Sequence, residues 1–311
     1  MKDLTVLVPV FNEQDSIILF LNTLNPILQG LDISYEYLFI DDGSSDETLK
    51  IIQEQAEKQN NINYISLSRN FGKEAALLCG IKNTSNKILI PMDIDLQDPP
   101  DLIPAFIEKW KQGYNMVLGV RKNRSTDTTL KKITAVLFYK IHNIFARRPI
   151  PENTGDFRLI DSNVINAIKH INESTLFMKG LFNWAGFKTT SVEYIRPKRA
   201  AGQSKWSYWK LWNFALDGIF NASTMPLRLW TYIGATVAFI SFLYSAVIIF
   251  KVLFVGKDTP GYASLAVLIL FFGGIQLMAI GVLGEYIGRI FTEVKHRPAY
   301  IIKEQNLNNN S

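Results

Sequence analysis

Leu4-Thr-Val-Leu-Val-Pro-Val-Phe-Asn-Glu-Gln-Asp-Ser16 decides the architecture. Leu4–Val10 is an unbroken apolar run rich in β-branched residues. Such a run reads as a strand buried on both faces rather than one that alternates. Asn12–Ser16 then supply polar caps, and an amphipathic helical pattern continues to about Leu28. The same strand-then-helix order recurs downstream. Tyr35–Ile40 is a second apolar run ending in Asp41-Asp42-Gly43, and Ser45 or Asp46 can cap a helix that reaches about Gln59. Ile62–Leu67 predicts a third strand, Lys73–Lys82 a helix, and Lys87–Met92 a fourth strand ending at Asp93. Pro99-Pro100 opens a helix through Gln112, and Asn115–Gly119 predicts a fifth strand. Alternation of this kind predicts an α/β domain on a Rossmann-like, mostly parallel sheet. Ligands of such sheets sit at the carboxyl ends of the strands. Polar clusters fall at those ends: Asn12-Glu13, Asp41-Asp42, Ser68-Arg69-Asn70, Asp93-Ile94-Asp95 and Arg121.

Past Arg121 the alternation stops. Thr129–Ala146 and the tryptophan-rich Trp206–Ala222 read as amphipathic helices, and Gly180–Ile195 as short strands. Leu229–Val255 and Leu265–Phe291 are each long enough to cross a hydrocarbon core of ~30 Å. Lys205, Lys210 and Arg228 precede the first; Arg289, Lys295 and Arg297 follow the second. The connection between them carries Lys257 offset by Asp258. This asymmetry predicts a membrane protein with both termini on the cytoplasmic side. Nothing before Leu4 reads as a signal peptide, which fits a cytoplasmic N-terminus. The predicted division is a catalytic domain over 1–225, with interfacial helices at about 129–146 and 206–222, a two-helix membrane hairpin over 226–292, and a tail over 293–311 holding a strand. Pro298–Lys303 could pair between subunits.

The 311 residues are 48% hydrophobic and 20% charged, with a net charge of +5. Mean hydropathy is +0.07 and the isoelectric point about 9.1. The apolar excess lies in the last third, and the basic balance favours anionic partners. Nucleic acid is set aside because the basic residues gather near the apolar segments. A single cysteine, Cys79, forms no intrachain disulfide and fits a reducing compartment. No G-x-G-x-x-G follows the first strand and no G-x-x-x-x-G-K-[ST] occurs, which argues against a nicotinamide enzyme and a P-loop NTPase.

Asp93-Ile94-Asp95 sets two carboxylates two residues apart. On an extended chain such side chains share a face. Together they suit a hard divalent cation, which can neutralise a departing diphosphate. A lone D-x-D is more often a solvated turn, but this one ends a buried strand and precedes Leu96-Gln97-Asp98-Pro99-Pro100. The adjacent pair Asp41-Asp42 exceeds what a helix cap needs and suits hydrogen bonds to a base and a ribose.

Pro9-Val-Phe-Asn-Glu13, Asp41-Asp-Gly-Ser-Ser-Asp46, Ser68-Arg-Asn-Phe-Gly-Lys-Glu74 and Asp93-Ile-Asp-Leu-Gln-Asp-Pro-Pro100 together resemble the family 2 glycosyltransferases of GT-A fold. The chain resembles most their polyprenyl-phosphate branch, which holds dolichol-phosphate mannose synthase and the bactoprenol glucosyltransferases. The resemblance runs over nearly the whole chain. It implies that Pro9, Asn12, Glu13, Asp41 and Asp42 line a nucleotide pocket. It further implies that Asp93, Asp95 and Gln97 face a Mg2+ or Mn2+ ion and the diphosphate, Asp95 most directly, and that Arg121 meets the donor phosphates. Thr154-Gly-Asp-Phe-Arg-Leu159 matches the family's G-D-F-R-L segment and marks Asp156 as nearest the acceptor, a positioner first and a base second. Arg158 reads as structural, pairing with a carboxylate. Arg199-Ala-Ala-Gly-Gln-Ser-Lys-Trp206 matches an acceptor motif, whose Arg199, Ser204 and Lys205 would hold a lipid phosphate.

The implied reaction is inverting transfer of a sugar, first of all glucose from UDP-glucose, to polyprenyl (undecaprenyl) phosphate at the cytoplasmic membrane face. The resemblance also implies a homo-oligomer, a tetramer. GDP-mannose, UDP-GlcNAc and amino-sugar donors stay open. A processive polysaccharide synthase is disfavoured, since neither a Q-x-x-R-W motif nor further spans are found. Intact acidic clusters argue against a non-catalytic scaffold.

Overall fold

The computed structural model describes residues 2–122, 154–171, 173, 178–195, 225–254 and 261–307. The expected interfacial helices at 129–146 and 206–222 lie outside them, as do Arg199, Ser204 and Lys205.

The first half alternates as its periodicity predicts. β1 spans Leu4–Val10, β2 Tyr35–Asp41, β3 Ile62–Leu67, β4 Ile88–Pro91 and β5 Met116–Arg121. Between them run α1 (Ile17–Gln29), α2 (Thr48–Lys58), α3 (Lys73–Asn83), a short 3-10 turn at Pro100–Leu102, and α4 (Ile103–Lys111). Asp46 accepts the Thr48 amide at 3.0 Å just ahead of α2, but the cap position itself is held by Glu47, whose side chain makes no capping bond, in place of the expected Ser45 or Asp46. β6 (Thr154–Asp161), α5 (Ser162–Lys169), α6 (Met178–Ala185) and β7 (Thr189–Tyr194) follow. α7 (Met225–Phe254), α8 (Tyr262–Val294) and β8 (Ile302–Gln305) complete the described order.

The eight strands form one sheet in the order β7-β5-β6-β4-β1-β2-β3-β8. All but β6 and β8 point the same way. Helices cover both faces, which is why β1 is apolar at successive positions. Leu4, Val6 and Val8 pack with α1 and α4 in one core. Leu7 points to the other, with α3, α5 and α6. On α1 the buried residues Ile17, Phe20, Leu21, Leu24 and Leu28 form one helical stripe. α3 lies against β1 so closely that a Cβ on Gly80 would fall 2.1 Å from Leu7 Cδ1.

Two expectations are corrected here. The stretch read as short strands, Gly180–Ile195, begins as helix and holds one strand: α6 buries Met178, Leu181 and Phe182 on one face before β7 begins. The tail strand pairs with β3 of its own chain, Ile65 opposite Gln305 and Leu67 opposite Ile302, rather than waiting for a second subunit.

In α8, Phe271–Val294 is 24 residues of mean hydropathy 1.4 with none of that surface buried. At ~1.5 Å per residue it exceeds the span of a bilayer core. In α7 the apolar stretch found among the described residues is Tyr232–Tyr244, shorter than a crossing requires. Of the two expected spans, one is thus long and apolar enough among the described residues.

Candidate active site

β1, β2, β3 and β4 end side by side at one edge of the sheet. β6 runs against them, so its first residues reach that edge, and Thr154 sits opposite Val120 of β5. The reversal brings Asp156 to the place where the loops after β1, β2, β3 and β4 emerge. An all-parallel sheet would have carried it to the far end.

On one side of the edge the expected nucleotide residues knit two loops together. Pro9 is the last residue but one of β1, half-buried. Asn12 takes a left-handed backbone, φ 52°. Its amide donates to Ser44 Oγ at 2.9 Å, and its Oδ1 accepts the Ser45 amide at 2.8 Å. The Glu13 amide donates to Thr48 Oγ1 at 2.8 Å, and its carboxylate accepts from Ser16 Oγ. Asp41 accepts from the Ser44 amide (3.0 Å) and the Ser66 hydroxyl (2.8 Å). Asp42 receives the amides of Phe71 (2.7 Å) and Gly72 (2.9 Å), one on each oxygen. The two acids are 1% and 4% exposed, so part of their capacity organises the loops themselves. Burial pushes the Asp42 carboxyl up, against the pull of those two amides. Gly43 is forced by the same closeness: its φ is +71°, and a Cβ there would lie 2.5 Å from the Arg69 carbonyl carbon.

On the other side lies a charge cluster centred on Lys73, the first residue of α3. Its Nζ stands 2.6 Å from Asp93 Oδ1 and 2.8 Å from Asp156 Oδ2. Lys179, from α6, approaches Asp156 Oδ1 at 3.8 Å. Burial alone would raise the Asp156 carboxyl. Lys73, Lys179 and Arg158 outweigh it and hold that carboxyl well below the usual carboxylate range. The same partnership overcomes burial at Lys73 and holds its ammonium above its ordinary value. Asp156 is therefore a fixed anion and a weak proton acceptor. Arg158, two residues on and on the same strand face, donates to Gly155 O at 2.8 Å and lies 4.5 Å over the Phe182 ring. Its charge also acts on a carboxylate, adding to the cations that hold Asp156 ionised.

Beside them the acidic loop turns rather than extends. β4 stops at Pro91, Asp93–Asp95 enters a turn, and Leu96 has φ 55°. The shared face expected of an extended D-x-D is lost: Asp93 is drawn to Lys73, while Asp95 Oδ1 accepts the Gln97 amide at 3.2 Å. Gln97 itself is buried. Among the described residues no three His, Cys, Asp or Glu side chains gather as a ready-made metal cage. Asp98 is buried and accepts from Tyr194 OH at 2.8 Å, and Arg121 Nε donates to that same hydroxyl at 3.3 Å. Burial, then the charge of Asp93, pushes the Asp98 carboxyl up to about 6. Burial and Asp98 push the Tyr194 phenol up to about 12.

The structure thus brings Asp93, Arg121 and Asp156 into one cluster, with Asp95 and Gln97 on the adjoining turn and Asp41 and Asp42 in the neighbouring loops. Lys73, Glu74, Asp98, Lys179 and Tyr194 were not singled out by the sequence. Lys73, Glu74 and Asp98 do lie inside quoted motifs, but one lysine or one acid has no spacing signature. Lys179 lies on α6, in and beside a stretch read as strand, and Tyr194 ends β7, whose partner is β5 far earlier in the chain.

The chain matches "Glycosyl transferase family 2" over residues 5–169 and "GtrB C-terminal hairpin" over residues 225–290. It is 51% identical to a bactoprenol glucosyl transferase of Shigella phage SfV, over 97% of this chain and 98% of that one. It is 49% identical to a prophage bactoprenol glucosyl transferase homolog of Escherichia coli K12, over 96% of this chain and 98% of that one. An uncharacterized glycosyltransferase of Synechocystis sp. is 47% identical, over 97% of this chain and 95% of its own length.

Proposed function

We infer, on the premise that this chain belongs to glycosyltransferase family 2, that it transfers glucose from UDP-glucose to a polyprenyl phosphate such as undecaprenyl phosphate, at the cytoplasmic face of a membrane. The sheet is the mostly parallel α/β sheet of that family's GT-A type. What supports the reading most is the Lys73 ammonium, which holds Asp93 of the acidic loop and Asp156 of β6 on one nitrogen.

Pro9, Asn12, Glu13, Asp41 and Asp42 would receive the uridine, and Arg121 the donor phosphates. A Mg2+ or Mn2+ ion fits the acidic turn. Its donors are hard oxygens, and the repulsion between Asp93 and Asp98 is relieved by added positive charge. Asp95, with Asp93 and Gln97, would hold it, the remaining ligands coming from the diphosphate. When bound, it neutralises the negative charge of the leaving group. Arg199, Ser204 and Lys205 would bind the lipid phosphate.

A phosphate monoester is mostly dianionic near neutral pH, its second pKa being ~6. It needs no general base, which agrees with an Asp156 held ionised. One phosphate oxygen bonds to the anomeric carbon as the bond from that carbon to the diphosphate breaks, and UDP departs with the electron pair on the opposite face. The configuration inverts. Lys73 and Asp156 hold the reacting face in place, and orientation supplies much of the rate.

Two membrane spans over 226–292, with both termini cytoplasmic, and a homo-oligomeric assembly complete the reading. Purified full-length protein should convert undecaprenyl phosphate and radiolabelled UDP-glucose to a labelled lipid. EDTA should abolish the product, and Mg2+ or Mn2+ restore it. Labelled lipid from GDP-mannose or UDP-GlcNAc instead would overturn the sugar assignment, and none from any donor would overturn the transferase reading.

A further inference from the structure

A cavity of about 320 Å³ opens between the loop after β3 and the segment that follows α8, lined by Arg69, Phe71, Thr292, Lys295, Arg297 and Pro298. Three of these are cations, and among the described residues no acid lines the cavity. Among the described residues, neither Lys295 nor Arg297 has a carboxylate within ion-pair distance. The Lys295 ammonium rests 3.9 Å over the Phe291 ring, and the Arg69 guanidinium 4.0 Å over Phe71. Aromatic faces hold these cations at the mouth without neutralising them. The apolar segment Phe271–Val294 stops one residue before Lys295. A cavity at that point of the chain lies at headgroup depth, where basic side chains and lipid phosphates attract.

The loop wall of the cavity has a second face. Arg69 and Phe71 line the cavity, while the amides of Phe71 and Gly72 bind Asp42 on the nucleotide side. We propose that this cavity takes the phosphodiester of an anionic phospholipid headgroup, and that its occupancy steadies the loop from which Asp42 is held. The proposal rests on the reading that α8 crosses the membrane.

The test uses full-length protein in nanodiscs of phosphatidylcholine, with or without phosphatidylglycerol. Native mass spectrometry reads retained lipid, and calorimetry reads UDP binding. Wild type should retain phosphatidylglycerol, and UDP should bind more tightly in its presence. Lys295→Gln with Arg297→Gln should lower retention about fivefold per cation removed and erase the lipid effect on UDP. In pure phosphatidylcholine the two proteins should bind UDP alike, which shows the variant folded. Equal retention by both proteins would overturn the site. Displacement of the lipid by inorganic phosphate would show a free-anion site, and displacement by undecaprenyl phosphate an acceptor route; either overturns the assignment. Because neither readout measures glucose transfer, an inactive but lipid-retaining protein would sink the transferase reading and leave this one standing.

Discussion

The two edges of the sheet both bury carboxylates, and they treat them oppositely. At the amino edge Glu36 accepts from Thr5 Oγ1 (3.1 Å), Asn86 Nδ2 (2.8 Å) and Asn63 Nδ2 (3.0 Å), all neutral donors, and Thr5 is further bonded to Thr84. At the carboxyl edge Asp93, Asp98 and Asp156 crowd together and are balanced by Lys73, Lys179 and Arg158. A carboxylate ringed by neutral donors is complete as it stands. One that depends on flexible cations can exchange partners when a charged ligand arrives. The first kind of burial serves stability, the second chemistry.

The sharpest way to break this contrast is Asp156→Asn. Transfer should fall on the order of 10³-fold, while UDP-glucose affinity by calorimetry stays within a few-fold. Unchanged transfer would remove Asp156 from the site. Lys73→Met comes next, with kcat/KM down on the order of 10²-fold. Without the ammonium, burial raises the Asp156 carboxyl, so the acid limb of the pH–rate profile should move to higher pH. An unmoved limb would mean that Lys73 acts on something else.

Glu36→Ala tests the amino edge. It strands three donors at a cost of about 1–3 kcal/mol, visible as a lower Tm with kcat unchanged. The smallest effect concerns Glu74, whose carboxyl burial, aided by Asp156, pushes up to about 7 while it accepts the Met178 amide at 2.8 Å. A carboxyl raised by folding binds its proton more tightly in the native state. Its ionisation therefore erodes stability as pH rises from its ordinary 4.5 through about 7. Glu74→Gln should raise Tm at pH 8 and leave it nearly unchanged at pH 4; equal shifts at both would refute the assignment.

Much of the first half was legible because β1 and β3 are interior strands that begin and end at the predicted residues, β1 as an almost unbroken apolar run. Periodicity failed where tertiary contacts decide. Met178–Ala185 carries Phe182 and Trp184, aromatic residues that suit strands, yet its buried residues recur at helical spacing. The acidic turn was misjudged because Leu96 takes a left-handed backbone that a leucine rarely adopts. The Lys73–Asp156 pair joins residues 83 apart across a strand reversal, which no local spacing announces. Asp41, Asp42 and Asp93 were singled out because they fall at or just past the carboxyl ends of strands, where ligands of such sheets sit, and Pro9 only through the family motif.

The strand that closes one border of the sheet has its own consequence. β8 is encoded after both C-terminal helices, yet it belongs to the fold that precedes them. During synthesis the ribosome must therefore release α7 and α8 before β3 can find its neighbour. Until then β3 shows a bare row of amides and carbonyls, the kind of border at which chains stick to one another. Completion of the sheet is thus timed to follow the making of the hairpin.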